Sequence, residues 1–309
     1  MPEFAIDTPA NLGAAPAVSG VDYTTASTAD STAVNSSGLT SAPPPGRTRT
    51  YDIDCTLAYE VNGTTDFLFQ IHALHGMDQC VLSESLVVTP PLPVHLFADP
   101  NVHHRLVRLH AERGQIELRY QARVQRTPVP VDVLATEVAI ADLPDDVLHN
   151  LMPSRYCESD HLSSAAQKLF CGFPAGHARV QAVVDWIHTN IEYRLGSSQP
   201  TTTARDVFVQ RAGVCRDFAH LGVTFCRALN IPARLVVGYA RFDDPPPDFH
   251  AVFEVYLGGR WVLYDATRMS PLDDLIRIAT GRDAKDVAFA TIFGPARMVL
   301  LNPLIESVA

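Results

Sequence analysis

The spacing of apolar residues changes character along the chain. From Asp52 to Val61, the residues Ile53, Cys55, Leu57, Tyr59 and Val61 alternate with Asp52, Asp54, Thr56, Ala58 and Glu60. That is the two-residue period of a strand with one wet face. Asn62-Gly63 supplies a turn, Phe67, Phe69 and Ile71 carry a second strand, and residues 80–89 suit another. The clearest alternation sets Ile116, Leu118, Tyr120, Ala122 and Val124 against Glu117, Arg119, Gln121 and Arg123. Short strands joined by polar turns, with no long helix between them, predict a small β-sandwich over residues 50–127.

Prolines between Thr127 and Pro130, and again at Pro144, mark the passage to a second pattern. Asp145–Leu151 and Ser163–Phe170 read as short helices. Val180, Val183, Val184, Ile187 and Ile191 share one face of a helix from about Ala178 to Tyr193, where His188 reads as a packing residue. A further helix starts at Cys215, with Phe218, Leu221, Phe225 and Leu229 as its apolar stripe. Cys215, Ala219, Gly222 and Cys226 fall in a narrow sector beside that stripe, small enough for a sheet to pack close. Ala212-Gly213 reads as a turn before the helix, Gly213 supplying backbone angles closed to other residues. After Ile231-Pro232 the period is again that of strands: Arg234–Ala240, then Ala251–Leu257 and Arg260–Ala266 around Gly258-Gly259, the spacing of a two-residue hairpin.

Composition narrows the classes. The chain has 309 residues, 47% of them hydrophobic, enough for a full core and two domains. Residues 1–47 are mostly Ala, Ser, Thr, Pro and Gly and read as a disordered tail or linker. The expected division is therefore this tail, a β-rich domain at 48–135 and a core at 136–309. A net charge of −10 argues against a nucleic-acid partner. No run approaches the roughly 18 apolar residues of a membrane span, and no charged-then-apolar leader opens the chain, so a soluble cytoplasmic protein is expected. Six cysteines, Cys55, Cys80, Cys157, Cys171, Cys215 and Cys226, lack paired spacing and indicate neither disulfides nor a zinc ribbon. Cys157 reads as structural. His72, His75, His95, His103, His104 and His110 fit no common metal spacing.

One cysteine differs from the rest. At the start of a helix, Cys215 meets unpaired backbone N–H groups and the positive end of the macrodipole, which favour thiolate over thiol, and Arg216 adds a neighbouring cation. A cysteine so placed is a nucleophile or simply a small buried hydrophobe. The hairpin bears on that choice: with Gly258 and Gly259 as its loop, Asp265 falls opposite Val252, and His250 becomes its diagonal neighbour on the same face. Diagonal pairs lie about 7 to 8 Å apart, within reach of an imidazole and a carboxylate. Nucleophile, base and orienting acid would then be complete.

The segments GVCRDFAHL and DFHAVFEVYLGGRWVLYDAT resemble the bacterial transglutaminase-like cysteine peptidase family, whose core is related to papain-like enzymes. The resemblance covers roughly residues 50–300, the β-rich part being similar to the N-terminal domain that accompanies this core. It implies an α+β fold: an N-terminal β-sandwich-like domain, then a papain-like, transglutaminase-like core with helices packed on an antiparallel sheet. It also implies Cys215 as nucleophile, His250 as general base and Asp265 as the residue orienting the histidine. The Cys215 backbone N–H is one oxyanion donor by analogy with papain-like sites; Gln210 is the first candidate for a second donor and Tyr193 another.

Three functions remain open: hydrolysis of a peptide or small amide through a thioester, acyl transfer to an amine, and a peptide-binding scaffold without turnover. Hydrolysis ranks first because water is the default acceptor. No cofactor or metal pattern is present, and no calcium-binding loop is found. Arg216, Asp217 and the Asp243–Asp248 loop are expected to border a cleft suited to a peptide or small amide or acyl substrate.

Overall fold

The computed structural model describes residues 46–308 apart from 77, 100–103 and 243–246. All of the expected tail but Gly46 and Arg47, His103 and most of the Asp243–Asp248 loop lie outside the described residues. In chain order come β1 (Arg49–Val61), β2 (Thr65–Phe69), β3 (Gln79–Thr89), β4 (Val94–Ala98), β5 (Arg105–Ala111) and β6 (Gly114–Arg126). Helices α1 (Asp145–Leu148), α2 (Ser163–Phe170) and α3 (His177–Asn190) follow. Two short strands, β7 (Glu192–Tyr193) and β8 (Ala212–Gly213), flank α4 (Ala204–Gln210) and lead to α5 (Cys215–Ala228). Then come β9 (Ala233–Tyr239), β10 (Phe249–Leu257), β11 (Arg260–Tyr264), β12 (Ile276–Gly281), β13 (Ala290–Phe293) and β14 (Ala296–Val308).

The predicted alternation is what builds the β layer. β1 and β6 pair antiparallel with Ile53 opposite Ala122, Cys55 opposite Tyr120, Leu57 opposite Leu118 and Tyr59 opposite Ile116. Every one of these side chains is buried, so the two apolar sets share one face. That sheet runs β14-β1-β6-β3, and a second runs β13-β2-β5-β4. Tyr59 joins them, its ring 5.3 Å from Phe67 and 5.6 Å from Phe69.

The expected boundary between β domain and core differs from the structure at the C-terminal end. β13 pairs with β2 and β14 with β1, so residues 290–308 complete the sheets of the β layer instead of belonging to a core that runs to 309. The pattern hid this because β14 places Met298, Val299, Leu300 and Leu301 in an unbroken apolar run and leaves most of them partly exposed. A strand with no wet-dry alternation carries no periodic signal.

In the core, β11-β10-β9-β12 form one antiparallel sheet on which α5 lies. The α5 stripe is buried as predicted, and the Phe225 ring gathers the other helices: Phe170 of α2 at 5.1 Å, Trp186 of α3 at 5.5 Å and Phe208 of α4 at 5.9 Å. The small-residue sector meets the sheet at Gly222, where an added Cβ would fall 2.6 Å from the Phe253 ring. Gly222→Ala therefore sets a gain of about 1 kcal/mol in helix propensity against about 1 to 3 kcal/mol of overpacking. The expected result is a net loss, read as a melting temperature lower by about 2 to 4 °C in a thermal melt.

Candidate active site

The turn before Cys215 is assembled from short pieces. Arg211 ends α4 in the left-handed conformation, φ 60°. β7 and β8 then pair in parallel, with Tyr193 opposite Gly213. Gly213 does not have positive φ, contrary to the sequence expectation. It is required by space, because a Cβ there would lie 2.7 Å from the Cβ of Asp217. Asp217 accepts the backbone N–H of Val214 at 2.9 Å and is fully buried, so it caps α5 from beneath the turn and does not border a cleft as expected. Arg216 is held by Ser198 Oγ at 2.7 Å and the Gln199 carbonyl at 2.8 Å. These contacts fix the turn that carries Cys215, the first residue of α5, which is partly exposed.

Across the site, the hairpin register follows the loop. Gly258 and Gly259 have φ of 56° and 80°, the left-handed pair of a type I′ turn, and Leu257 stands opposite Arg260. His250 Nε2 lies 2.9 Å from Asp265 Oδ2, both residues being buried. The Cys215 thiol lies near enough to the same imidazole to favour its charged form. Burial alone would lower the His250 pKa; the bond to Asp265 and the nearby Cys215 outweigh it and push the value up to about 10. For Asp265 burial acts upward, and the contacts with His250 and Thr267 overcome it and hold the carboxyl below its ordinary value.

Thr267 went unnoticed in the sequence. Its backbone N–H and hydroxyl both donate to Asp265 Oδ1, at 2.8 and 2.7 Å, leaving Oδ2 for the histidine. The signal was there: in Asp265-Ala266-Thr267 an aspartate precedes a threonine by two residues, the pattern of an Asx turn. Thr267→Val keeps the N–H and loses the hydroxyl. A charge-assisted hydrogen bond contributes about 1.5 to 3 kcal/mol, so kcat on a cleaved amide should fall about tenfold with the fold retained.

The two second-donor candidates are placed differently. Gln210 is exposed, at the end of α4 beside a surface groove formed with residues 197–202. Tyr193 is set against Gly213 by the β7–β8 bridge, which brings its phenol near Cys215. Burial and the nearby Cys215 raise the pKa of that phenol, keeping it a proton donor.

The remaining cysteines are free thiols. Burial pushes the pKa of Cys55 and Cys157 up to about 12 and raises that of Cys226, while Cys80 and Cys171 are on the surface. His188 contacts the Ala266 carbonyl at 3.3 Å. The β-layer histidines have separate partners: His72 packs on Tyr120, His104 bonds to Gln70, and His110 pairs with Asp66. Among the described residues no helix is long and apolar enough to cross a membrane.

Comparison with known proteins agrees with this architecture. Residues 50–146 match the bacterial transglutaminase N-terminal domain, and residues 164–266 match the transglutaminase-like superfamily. The crystal structure of a candidate cysteine protease from Cytophaga hutchinsonii is 41% identical, with a TM-score of 0.80, over 86% of this chain and 92% of that one. An uncharacterized protein of Mycobacterium leprae is 30% identical over 49% of this chain, and one of Mycobacterium bovis is 35% identical over 33%. The chain spans 56% of the first of these relatives and 37% of the second. By its motifs, its fold and its likeness to the Cytophaga protein along nearly the whole of that chain, this protein belongs to the transglutaminase-like superfamily, with a bacterial transglutaminase N-terminal domain joined to the core.

Proposed function

We propose that the chain is a cysteine-dependent amide hydrolase, a peptidase or amidase, working through a thioester on Cys215. The observation that carries this reading is the buried 2.9 Å contact of His250 with Asp265, on an imidazole near a helix-start thiol. With Nε2 turned to Asp265, Nδ1 is the ring nitrogen left for Cys215. His250 takes the thiol proton, and Sγ attacks the amide carbon. The C–N bond breaks, the amine leaves with the proton from His250, and the acyl group stays on sulfur. Water then attacks the thioester as His250 accepts one of its protons; the acid departs and the thiol is restored. The developing oxyanion takes hydrogen bonds from the Cys215 N–H and the Tyr193 hydroxyl. A peptide substrate is favoured by the likeness to a candidate cysteine protease.

The test is product analysis. The chain is incubated with a peptide library, with and without millimolar hydroxylamine or glycine, and its products are identified by mass spectrometry. New carboxylic acids in both arms support hydrolysis. Amide or hydroxamate formed in preference to acid would replace hydrolysis with acyl transfer, and no product in either arm would favour a peptide-binding scaffold.

A further inference from the structure

The inward positions of β6 run Ile116, Leu118, Tyr120, Ala122 and Val124, and the next is Arg126, 2% exposed. A guanidinium where the alternation calls for an apolar side chain is costly unless it is paired. Arg126 Nε and Nη2 lie 3.2 and 3.1 Å from Asp78 Oδ2. The other oxygen of Asp78 accepts from Arg277 Nη1. Arg277 Nη2 is 3.5 Å from Glu254 Oε2, and Arg234 Nε donates to Glu254 Oε1 at 2.5 Å. Arg234 in turn stacks on the Trp261 ring at 4.0 Å.

This row alternates cation, anion, cation, anion, cation, so three guanidiniums share two carboxylates. Among the described residues Arg126 Nη1 and Arg277 Nε are buried with no hydrogen-bond partner, as is Glu254 Oε2, which faces Arg277 Nη2 at 3.5 Å. Asp273 is near enough to act on Arg126, but it is exposed, as is Asp146. Both guanidiniums line a cavity of about 510 Å³, walled by Val129, Val131, Tyr256 and Trp261. That volume is within the range of small-molecule sites. Tyr256 is six residues along β10 from His250, roughly 20 Å in an extended strand, so the end of the cavity walled by Tyr256 and Trp261 is distant from the Cys215 site.

We propose that this cavity binds a small organic carboxylate. Its head supplies the one negative charge the row lacks and takes up the free N–H of Arg126, and its apolar body lies on Trp261 and the Val129–Val131 segment. Phosphate fits less well, because Asp78, Asp146 and Asp273 line the same space and repel a multiply charged anion.

The test needs no enzymatic activity, so it stands or falls apart from the proposed chemistry at Cys215. The full chain is titrated with acetate, benzoate and N-acetyl-L-phenylalanine, each beside its neutral amide, and with inorganic phosphate. Binding is read by calorimetry and, in a Trp186→Phe chain, by the fluorescence of Trp261. At least one carboxylate should bind at least tenfold more tightly than its amide and more tightly than phosphate. Arg126→Gln should remove that preference. If that variant fails to fold, Val129→Glu serves, since Val129 is 53% exposed and outside the buried row; it should weaken carboxylate binding at least severalfold with an unchanged melting temperature. Equal binding of acid and amide, tighter binding of phosphate, no binding of any probe, or carboxylate binding indifferent to both variants would overturn the proposal.

Discussion

Cys215→Ala is expected to abolish amide turnover while leaving the fold intact. In thiol and hydroxyl hydrolases the nucleophile and its base act as a unit, and removing either lowers kcat by factors on the order of 10⁴ to 10⁶. Here the unit has one candidate thiol. Cys55, Cys157 and Cys226 are buried with raised pKa values, and Cys80 and Cys171 sit on the surface, in β3 and just after α2. Single replacements of those five should leave kcat within a small factor of wild type. Rates for the six variants on one cleaved amide, with a thermal melt of each, decide the point. A folded Cys215→Ala chain that keeps wild-type turnover would remove the nucleophile from the account.

Asp265→Asn should lower kcat by roughly 10² to 10⁴, because the imidazole loses the group that fixes its orientation and stabilises its cation. The pH dependence separates this role from simple damage. Burial drives His250 toward its neutral form, and Asp265 with Cys215 holds its pKa up at about 10. The folded value exceeds the ordinary 6.5, so the stabilising contribution of the imidazolium is fully present below about pH 6.5 and is lost as pH rises through about 10. Activity that needs the imidazolium as general acid should show its alkaline limb near that upper value in the wild type. In Asp265→Asn the limb should move to lower pH. A variant whose rate falls with an unmoved limb would place Asp265 in a structural role only.

The sequence made visible what a period or a loop length determines. The α5 stripe followed from helical spacing, and the His250–Asp265 meeting followed from counting back from a two-glycine loop, since register in a tight hairpin leaves no freedom. What stayed hidden depended on contacts between distant segments or on local space. Gly213 was explained by backbone freedom, whereas the structure shows a side chain crowding its α-carbon. Asp217 is expected at the border of a cleft, yet at the third helical position it turns back under the cap. Tyr193 gains its place only through the β7–β8 bridge, two residues long and without any periodic signature. The return of β13 and β14 to the first sheets is a pairing over more than 200 residues, which no local window can register.

The central claim, that Cys215 and His250 form a reactive pair, has a direct test that requires no substrate. The folded chain is treated with limiting iodoacetamide at pH 6, where an ordinary thiol of pKa about 8.5 is less than about 1% ionised, and the labelled cysteines are mapped by mass spectrometry. Cys215 should be alkylated well ahead of the exposed Cys80 and Cys171, and His250→Ala should erase that lead. Labelling of Cys215 no faster than of Cys80 or Cys171 in the wild-type chain would contradict the account.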